Sequence, residues 1–362
     1  MSREFQPGGA RRGRGAVSNS AGRFEAFERE PFDDGWDSFA EFVDDSPPLK
    51  TELTPERTRS IVSTNQSPDL PFTQSINPYK GCEHGCVYCY ARPTHAYLGM
   101  SPGQDFESRI VYKPEAADAL RRHLAKRSYV AKTIVIGANT DPYQPAEREL
   151  KITRALIEVL AEHRHPLSII TKSAGITRDL DLLAPMAADG LFSALVSITT
   201  LTAETARAME PRAAAPGRRL AAVRALSEAG IPVAVMAAPM VPAINDHELE
   251  AILEAAAEAG ALSARYILVR LPLEIKDLFR EWLEHHYPDR ADRVLSLIRQ
   301  TRDGALYRSD FDSRMRGTGT YADLLARRYQ VAARRLELDR SLPELDTELF
   351  TRPPNPGQLP LF

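Results

Sequence analysis

Residues 133–171 read TIVIGANTDPYQPAERELKITRALIEVLAEHRHPLSIIT and hold one complete strand–helix–strand unit. The apolar runs at 133–138 and 167–171 have the length and the β-branched content of buried strands. The segment 147–162 between them has the pattern of a helix. Two strands joined by such a helix lie parallel, so this unit predicts a parallel sheet covered by helices.

The same alternation continues on both sides of that unit. Strand-like runs lie at 75–79, 193–199, 232–237 and 264–269, and helix-like segments at 114–126, 178–187, 218–229 and 246–259. Together these make six β–α units in tandem, which predict the α/β class and a partial (β/α)6 TIM-like barrel. The alternative is an open doubly wound sheet, but the glycine fingerprint that follows the first strand of such sheets is missing.

The rest of the chain divides into a charged arm, a helical extension and a tail. Residues 1–24 carry five arginines and one acid, and residues 25–45 carry nine acids and one arginine. We expect 1–75 to be a largely disordered arm, because so little apolar surface cannot offset the chain entropy. Two alternatives stay open, a basic arm that contacts a phosphate backbone and a short docked helix near 35–45. The predicted segments that follow are the core at 76–272, a helical extension at 273–340 and a disordered, proline-rich tail at 341–362.

The composition is that of a soluble globular protein. Of the 362 residues, 43% are hydrophobic and 26% are charged, both ordinary values for this class. No apolar run approaches the roughly 18 residues of a membrane span, and the N-terminus lacks the apolar stretch of a secretory signal. The net charge of −3 argues against wholesale coating of nucleic acid but allows local basic patches. We therefore expect a cytoplasmic protein without a membrane partner.

The three cysteines of the chain are Cys82, Cys86 and Cys89, and they lie in one window that reads NPYKGCEHGCVYCY over residues 77–90. An odd and clustered set is unlike a disulfide framework. Three thiolates spaced C-x3-C-x2-C can ligate three irons of a cubane cluster and leave the fourth iron without a protein ligand, whereas ferredoxins use a fourth cysteine. The alternatives are zinc bound by these thiolates with His84 or His95, and three unrelated free thiols.

This spacing, with an aromatic residue at Tyr88 and a position at the end of the first strand, resembles the radical S-adenosylmethionine (SAM) superfamily. The neighbouring sequences NPY at 77–79 and CVYCY at 86–90 resemble its spore photoproduct lyase-like branch, also called DNA repair photolyase-like. The resemblance implies that the three cysteines are the catalytic ligands of a [4Fe–4S] cluster whose open iron chelates SAM, with Tyr88 against the adenine. It also implies reductive cleavage of SAM to a 5′-deoxyadenosyl radical, with electrons from a donor such as flavodoxin or ferredoxin.

The same resemblance assigns further SAM contacts to Thr140, Lys172 and Ser197. Each of them lies at or near the end of a strand-like run, and the sites of β/α barrels are built at these ends. Two of them have a purely structural alternative. Lys172 is one, because a lysine after a strand is usually a solvated charge, and Ser197 is the other, because a serine in a sheet often bonds to the backbone.

Four residues nearby complete the set of candidates. Asp141 is a candidate for cofactor binding, and an Asx turn before proline is its structural alternative. Glu147 fits an acid in the first turn of a helix, and Arg212 either faces the site or lies in a loop.

The lyase has an additional cysteine near this segment that returns a hydrogen atom to the product radical, whereas the segment has none here. Tyr143 is therefore the candidate hydrogen donor.

The chain ends in Gln358, Leu359, Pro360, Leu361 and Phe362. This ending resembles the peptide by which bacterial polymerases and mismatch-repair proteins dock on the DNA sliding clamp, with leucine and phenylalanine as apolar anchors. The alternative is that the last residues fold back onto the barrel.

Together with the photolyase-like core, the ending predicts an enzyme that acts on DNA, in repair or modification. The rival hypotheses are a radical SAM enzyme for a protein or small molecule, and a non-enzymatic, metal- or cluster-stabilised module associated with DNA.

Overall fold

A computed structural model describes residues 13–25 and 49–354 of the chain. Within these residues, ten strands form two sheets. The strands are β1 (Glu52–Pro55), β2 (Val62–Thr64), β3 (Gln74–Ile76), β4 (Tyr79–Lys80), β5 (Arg109–Tyr112), β6 (Ile134–Ile136), β7 (Leu167–Thr171), β8 (Phe192–Ser197), β9 (Val233–Met240) and β10 (Ser263–Leu268).

The larger sheet has the order β2-β3-β6-β7-β8-β9-β10. All of its strands from β3 onward run parallel, and β2 pairs antiparallel with β3 at one edge. Because the parallel strands follow one another in chain order without a reversal, the sheet winds in one direction, as a barrel does and a doubly wound sheet does not. The two edge strands do not pair with each other, so the predicted partial (β/α)6 barrel is confirmed as an open one.

Helices cover the outside of this sheet and continue beyond it. They are α1 (Gln104–Ser108), α2 (Ala116–Leu124), α3 (Glu147–Leu150), α4 (Ile152–Glu162), α5 (Leu180–Ala188), α6 (Ala203–Met209), α7 (Pro216–Glu228), α8 (Leu249–Glu258), α9 (Ile275–His286), α10 (Ala291–Gln300) and α11 (Gly319–Arg335), with 3-10 turns at Arg92–Leu98, Ala174–Asp179, Asp246–Glu248 and Pro288–Arg290. The largest apolar cluster lies between the strands and helices α2, α4, α5, α7 and α8. Helices α9 to α11 confirm the predicted helical extension. None of the helices in the described residues is long and apolar enough to cross a membrane.

Two predicted elements are interrupted in the structure. The predicted first strand at 75–79 is split, because β3 belongs to the large sheet and β4 pairs with β5 in a small one of order β1-β5-β4. Pro78 stands at the break and has no N–H for a ladder. The predicted helix at 147–162 breaks at Lys151, which has a φ of 51°. The Glu147 carboxylate there accepts from the backbone N–H of Thr153 at 3.0 Å, which caps the start of α4.

The predicted disorder of residues 1–75 is wrong for the part that the structure describes. In segment 13–25, Ala16 and Val17 are buried. In segment 49–75, β1 pairs with β5 and β2 with β3. These segments are held by backbone and side-chain hydrogen bonds to residues far along the chain, which a count of apolar residues does not capture. Residues 1–12 and 26–48, including the docked helix suggested near 35–45, lie outside the described residues.

The described part of the proline-rich tail is also bound to the barrel. Asp346 donates its N–H to the carbonyl of Gly190 at 3.0 Å, and Thr351 to that of His163 at 2.9 Å. The Phe350 ring packs 5.2 Å from the His165 ring. Gly190 and His163 come just before β8 and β7, so the tail crosses the amino ends of the strands. The clamp-like residues Gln358, Leu359, Leu361 and Phe362 lie outside the described residues.

Candidate active site

The predicted site residues gather at the carboxyl edge of the sheet. Thr140 follows β6, Lys172 follows β7 directly, and Ser197 is the last residue of β8. The segment 81–90, which we call the cysteine loop, leaves β4 beside them. The Thr140 hydroxyl donates to the carbonyl of Tyr79 at 2.8 Å, which fastens the loop after β6 to the entrance of the cysteine loop. Parallel strands end at one edge, and this places the candidates together.

The three thiols form one electrostatic cluster, in which Cys82 and Cys86 are buried and Cys89 is partly buried. Burial raises the pKa of the Cys82 thiol, and the charges of Asp141, Cys86 and Cys89 raise it further. Burial also raises the pKa of Cys86 to about 12, together with Glu210, while the Lys172 ammonium opposes this rise. Thiols that affect one another in this way lie close together, and a bound metal would favour their ionised form.

Two glycines shape the cysteine loop. Gly81 has a φ of 83° and Gly85 one of 69°, in the left-handed region that favours glycine. A Cβ atom at Gly81 would lie 2.8 Å from the carbonyl oxygen of Phe106, the same oxygen that accepts the N–H of Cys82 at 2.9 Å. The loop is therefore pressed against the residues of α1, with no room for larger side chains at its start.

A buried arginine organises the middle of the cysteine loop. Arg92 donates from Nε to the carbonyl of Cys86 at 2.8 Å and from Nη2 to that of Gly85 at 3.2 Å. The same guanidinium forms an ion pair with Glu107, and neither side chain is exposed to solvent. Sequence reasoning missed both residues, because an arginine three residues after the last cysteine of a metal motif is usually a surface charge.

A second buried ion pair supports the aromatic residue of the motif. The Tyr88 hydroxyl donates to the Glu210 carboxylate, which also pairs with Arg219. The Thr199 hydroxyl donates to the same carboxylate at 2.6 Å. Burial acts to raise the pKa of Glu210, but Arg219 and Lys172 hold it below its usual value. Tyr88 is therefore fixed by its hydroxyl group and presents a constant ring face.

Lys172 is directed at this face. Its Nζ lies 5.8 Å from the centroid of the Tyr88 ring. Burial acts to lower the pKa of the ammonium, but Cys86 and Glu210 raise it above its usual value. A cation held beside the thiols suits the carboxylate of an amino acid. Ser197 is buried at the end of β8 and accepts at its carbonyl from Arg219 at 3.1 Å.

Asp141 forms the Asx turn that was the structural alternative. Its carboxylate accepts from the N–H of Tyr143 at 2.9 Å, from the Thr171 hydroxyl at 2.7 Å and from the N–H of Lys172 at 2.7 Å. Its Oδ2 atom also lies 3.3 Å from Nδ1 of His84. Burial acts to raise its pKa, but His84 and these donors lower it to about 2. A role of Asp141 in cofactor binding stays a prediction.

Tyr143, Glu147 and Arg212 serve other contacts. The Tyr143 hydroxyl donates to the Asp179 carboxylate at 3.0 Å, which gives it a partner in a charged network at the start of α5. Glu147 caps α4 as described above, and it also accepts from Arg178 at 2.9 Å. Arg212 pairs with Glu83 of the cysteine loop at 3.0 Å. The role of Tyr143 as a hydrogen donor stays a prediction.

The donor set fits an iron–sulfur cluster. Three thiols stand in one loop beside a cation, and they are the three cysteines of the sequence. In the part of the chain that the structure describes, no three His, Cys, Asp or Glu side chains converge as ligands of a single metal ion. A cubane does not require that convergence, since each thiolate binds a different iron. His95, one suggested ligand for zinc, lies 3.0 Å at Nε2 from the carbonyl oxygen of Arg109.

Comparison with known proteins identifies the family. The family model described as Radical SAM superfamily matches residues 76–256, which is half of the chain. The chain therefore belongs to the radical SAM superfamily. Members of this superfamily are enzymes that typically bind a [4Fe–4S] cluster and SAM, so the predicted enzyme class is confirmed at this level.

Two relatives with similar sequences are both named as uncharacterized proteins. One from Mycobacterium tuberculosis is 37% identical over 233 residues, which are 64% of this chain and 68% of that protein. Another, from Methanocaldococcus jannaschii, is 26% identical over 243 residues, 66% of this chain and 85% of the relative. A solved structure of spore photoproduct lyase is 16% identical, has a TM-score of 0.52 and covers 78% of this chain and 79% of that one. The fold of this chain is thus similar to that of spore photoproduct lyase.

Proposed function

We propose that this radical SAM enzyme holds a [4Fe–4S] cluster through Cys82, Cys86 and Cys89 and acts on nucleic acid, in DNA repair or modification. The observation that carries the first part is the set of three thiols in one loop beside Lys172, with Cys82 and Cys86 buried and Cys89 partly buried. When bound, the cluster and SAM supply the electron transfer that breaks a C–S bond of SAM, giving methionine and a 5′-deoxyadenosyl radical that takes a hydrogen atom from the substrate.

The chain's own residues bind and orient the cofactor. Lys172 offers a positive charge to the carboxylate of SAM, and the Tyr88 ring, fixed through Glu210, offers a flat face to the adenine. Thr140 and Ser197 line the ends of β6 and β8 as the further contacts that the resemblance implies. The buried loop around them keeps water from the reacting atoms.

Nucleic acid as the substrate is supported by the rim beside the cysteine loop. The Arg270 guanidinium lies 4.4 Å from the centroid of the Tyr90 ring, which follows Cys89 and is 44% exposed. No carboxylate of the described residues forms an ion pair with Arg270, and Asp69 nearby is bound by Arg314 at 2.5 and 2.6 Å. An exposed aromatic ring beside an unpaired arginine suits a base and its phosphate.

The cluster and the chemistry are tested on anaerobically reconstituted protein. With dithionite and SAM, the wild type should form 5′-deoxyadenosine and the Cys86→Ala variant should not. Metal analysis of the same samples separates the cluster from zinc. A wild type that holds zinc and forms no deoxyadenosine would support the non-enzymatic module instead.

The substrate class is tested by binding of a labelled single-stranded DNA oligonucleotide at several salt concentrations. Arg270→Gln should weaken binding and lower the salt slope by about 1, the contribution of one phosphate contact. The matched control is Arg340→Gln, because Arg340 pairs with Glu337 on an exposed surface after α11. If Arg270→Gln binds as the wild type does, or if no DNA binds, a protein or small-molecule substrate is favoured.

The proposal includes two partners. An electron donor such as flavodoxin or ferredoxin must reduce the cluster. Residues Gln358, Leu359, Leu361 and Phe362 are proposed to dock on the DNA sliding clamp, on the strength of their sequence. The clamp would bring the enzyme to DNA and would take no part in its chemistry.

A further inference from the structure

Residues 13–20, which we call the N-terminal strap, lie directly on the cysteine loop. A Cβ atom built on Gly15 would overlap the carbonyl oxygen of Gly85, so the two backbones are in contact at a point between Cys82 and Cys86. Ala16 and Val17 follow and are buried, with 0% and 2% of their surface exposed. The strap therefore covers the cysteine loop at a point between the first two of its three thiols.

Glu107 connects the strap to the cysteine loop. Its carboxylate accepts from the N–H of Gly15 at 2.9 Å and from the N–H of Ala16 at 2.8 Å. The same carboxylate pairs with Arg92, whose other donors hold the carbonyls of Gly85 and Cys86. Charge-assisted hydrogen bonds of this buried kind are stronger than neutral ones. A continuous polar connection thus leads from the strap through two buried side chains to the loop.

A second connection starts at Arg14. Its Nη1 donates to the carbonyl of Glu107 at 2.6 Å, and its Nη2 reaches the Thr51 hydroxyl at 3.3 Å. Thr51 in turn donates to the carboxylate of Glu83 at 2.7 Å, and Glu83 lies in the cysteine loop. Burial lowers the pKa of Arg14 but leaves the group cationic. The strap therefore grips the cysteine loop from two sides.

The strap also binds α1 along its length. Asn19 and Asp105 exchange two hydrogen bonds of 2.9 Å, one from the Asn19 amide and one from the Asp105 N–H. Gln104 donates to the carbonyl of Ala16 at 3.3 Å. Because Glu107 stands at the end of the same helix, these bonds keep its carboxylate in place.

We propose that the strap and Glu107 are positioning elements that hold the cysteine loop closed around its thiols. This rests on the proposed function only where it concerns a cluster, because the closure of the loop is a property of the protein without one. Removal of the strap leaves Arg92 and Glu107 without their covering layer, so the loop opens more often and its thiols meet solvent.

The test compares two truncated forms without a cluster, in the absence of oxygen. One lacks residues 1–12, which leaves the strap intact, and the other lacks residues 1–20. Their thiols are titrated with an aromatic disulfide that releases a coloured thiolate when it reacts. The signal reports on the cysteine loop alone, because all three cysteines of the chain lie there. We expect the two buried thiols, Cys82 and Cys86, to react about tenfold faster or more in the shorter form, which corresponds to a local opening free energy lowered by about 1.4 kcal/mol.

A point variant keeps the test valid if the shorter form does not fold. Gly15→Ala places a methyl group against the Gly85 carbonyl and should speed the thiol reaction in the same direction. Equal reaction rates in the wild type, the form lacking 1–12 and the folded strap variants would overturn the proposal. After reconstitution, the strap variants should also lose their visible iron–sulfur absorbance faster in air than the wild type.

Hydrogen exchange of the wild type gives an independent measure. The N–H groups of Gly15 and Ala16 should be protected, although they lie near the chain terminus, and their protection should fall together with that of the cysteine loop in mild denaturant. Free exchange at these two positions overturns the proposal. If the reactivity of the thiols depends on the strap but no 5′-deoxyadenosine forms, the proposed role of the strap stands and the proposed function fails.

Discussion

At the residue scale, the site depends on charged side chains that are buried and paired. Glu210 with Arg219 and Glu107 with Arg92 are ion pairs with at most 1% exposure of each side chain. Such pairs cost desolvation, and they hold only because further donors satisfy their remaining oxygens. Each pair fixes a part of the candidate active site, the Tyr88 ring in one case and the cysteine loop in the other.

The Glu210 pair predicts a large stability effect from one atom. Glu210→Gln keeps the volume of the side chain but leaves Arg219 buried without a counter-charge, and loss of a buried partner costs about 3–5 kcal/mol. Glu254→Gln removes the partner of Arg335 in a pair whose side chains are 46% and 60% exposed, so it should cost less than about 1 kcal/mol. Denaturant unfolding of the protein without a cluster measures both. Equal losses would show that the Glu210 pair is not desolvated in solution.

The low pKa of Asp141 predicts that the free energy of unfolding depends on pH in the acidic range. Its pKa of about 2 lies below the value of about 3.9 in an unfolded chain, so the carboxylate stabilises the fold above pH 4. This contribution, about 2 kcal/mol, is lost as the pH falls through 2. The free energies of unfolding of the wild type and Asp141→Asn should differ at pH 6 and converge at lower pH. A difference that is constant with pH would mean that the charge of Asp141 is irrelevant to stability.

At the element scale, the path of the chain at the ends of the strands is set by crowding. Gly137 follows β6 with a φ of 91°, and a Cβ there would overlap the carbonyl oxygen of Ile170 in β7. The chain must therefore pass close to the neighbouring strand before it reaches Thr140. Only glycine allows this approach.

This crowding predicts that Gly137→Ala destabilises the protein more than Gly190→Ala does. Gly190 also has a positive φ, 71°, but has nothing within 4 Å of an added Cβ. Gly190→Ala should cost about 1–2 kcal/mol, the penalty of a left-handed conformation. Gly137→Ala carries the same penalty and in addition about 1–3 kcal/mol of overpacking. Thermal melts of both variants test this, and equal melting temperatures would contradict the crowding.

The sequence predicts well those elements that bury apolar surface. Strands such as β7 and β8 are mostly apolar runs between polar loops, so the sequence itself indicates their length and burial. The N-terminal strap has no such signal, because it is held by backbone N–H groups bonded to Glu107, 91 and 92 residues further on. The roles of Arg92 and Glu210 were equally hidden, since a buried charge depends on a partner that only the fold supplies.

At the scale of the whole molecule, the N-terminal strap and the described part of the tail bind opposite ends of the barrel. The strap covers the cysteine loop at the carboxyl ends of the strands. The tail crosses the amino ends, where Arg352 donates to the carbonyl of Tyr129 at 3.1 Å, shortly before β6. Pro354, the last described residue, therefore lies at the end of the barrel away from the candidate active site.

This placement bears on the clamp-like ending. The last described residue lies away from the rim of Tyr90 and Arg270, where we propose that the substrate binds. We expect the full chain to be retained by an immobilised bacterial sliding clamp, because three apolar side chains beside a glutamine suit a hydrophobic pocket with a polar edge. A chain lacking residues 358–362 should not be retained.

The control for this experiment replaces the two anchors and keeps the length of the tail. Leu361→Ala combined with Phe362→Ala should bind as weakly as the truncated chain, whereas Pro360→Ala should lose little. All four proteins should form the same amount of 5′-deoxyadenosine from SAM, because none of the changed residues belongs to the candidate active site. Retention of every variant, or of none, would remove the clamp from the proposed partners and leave the rim around Arg270 as the remaining support for a nucleic-acid substrate.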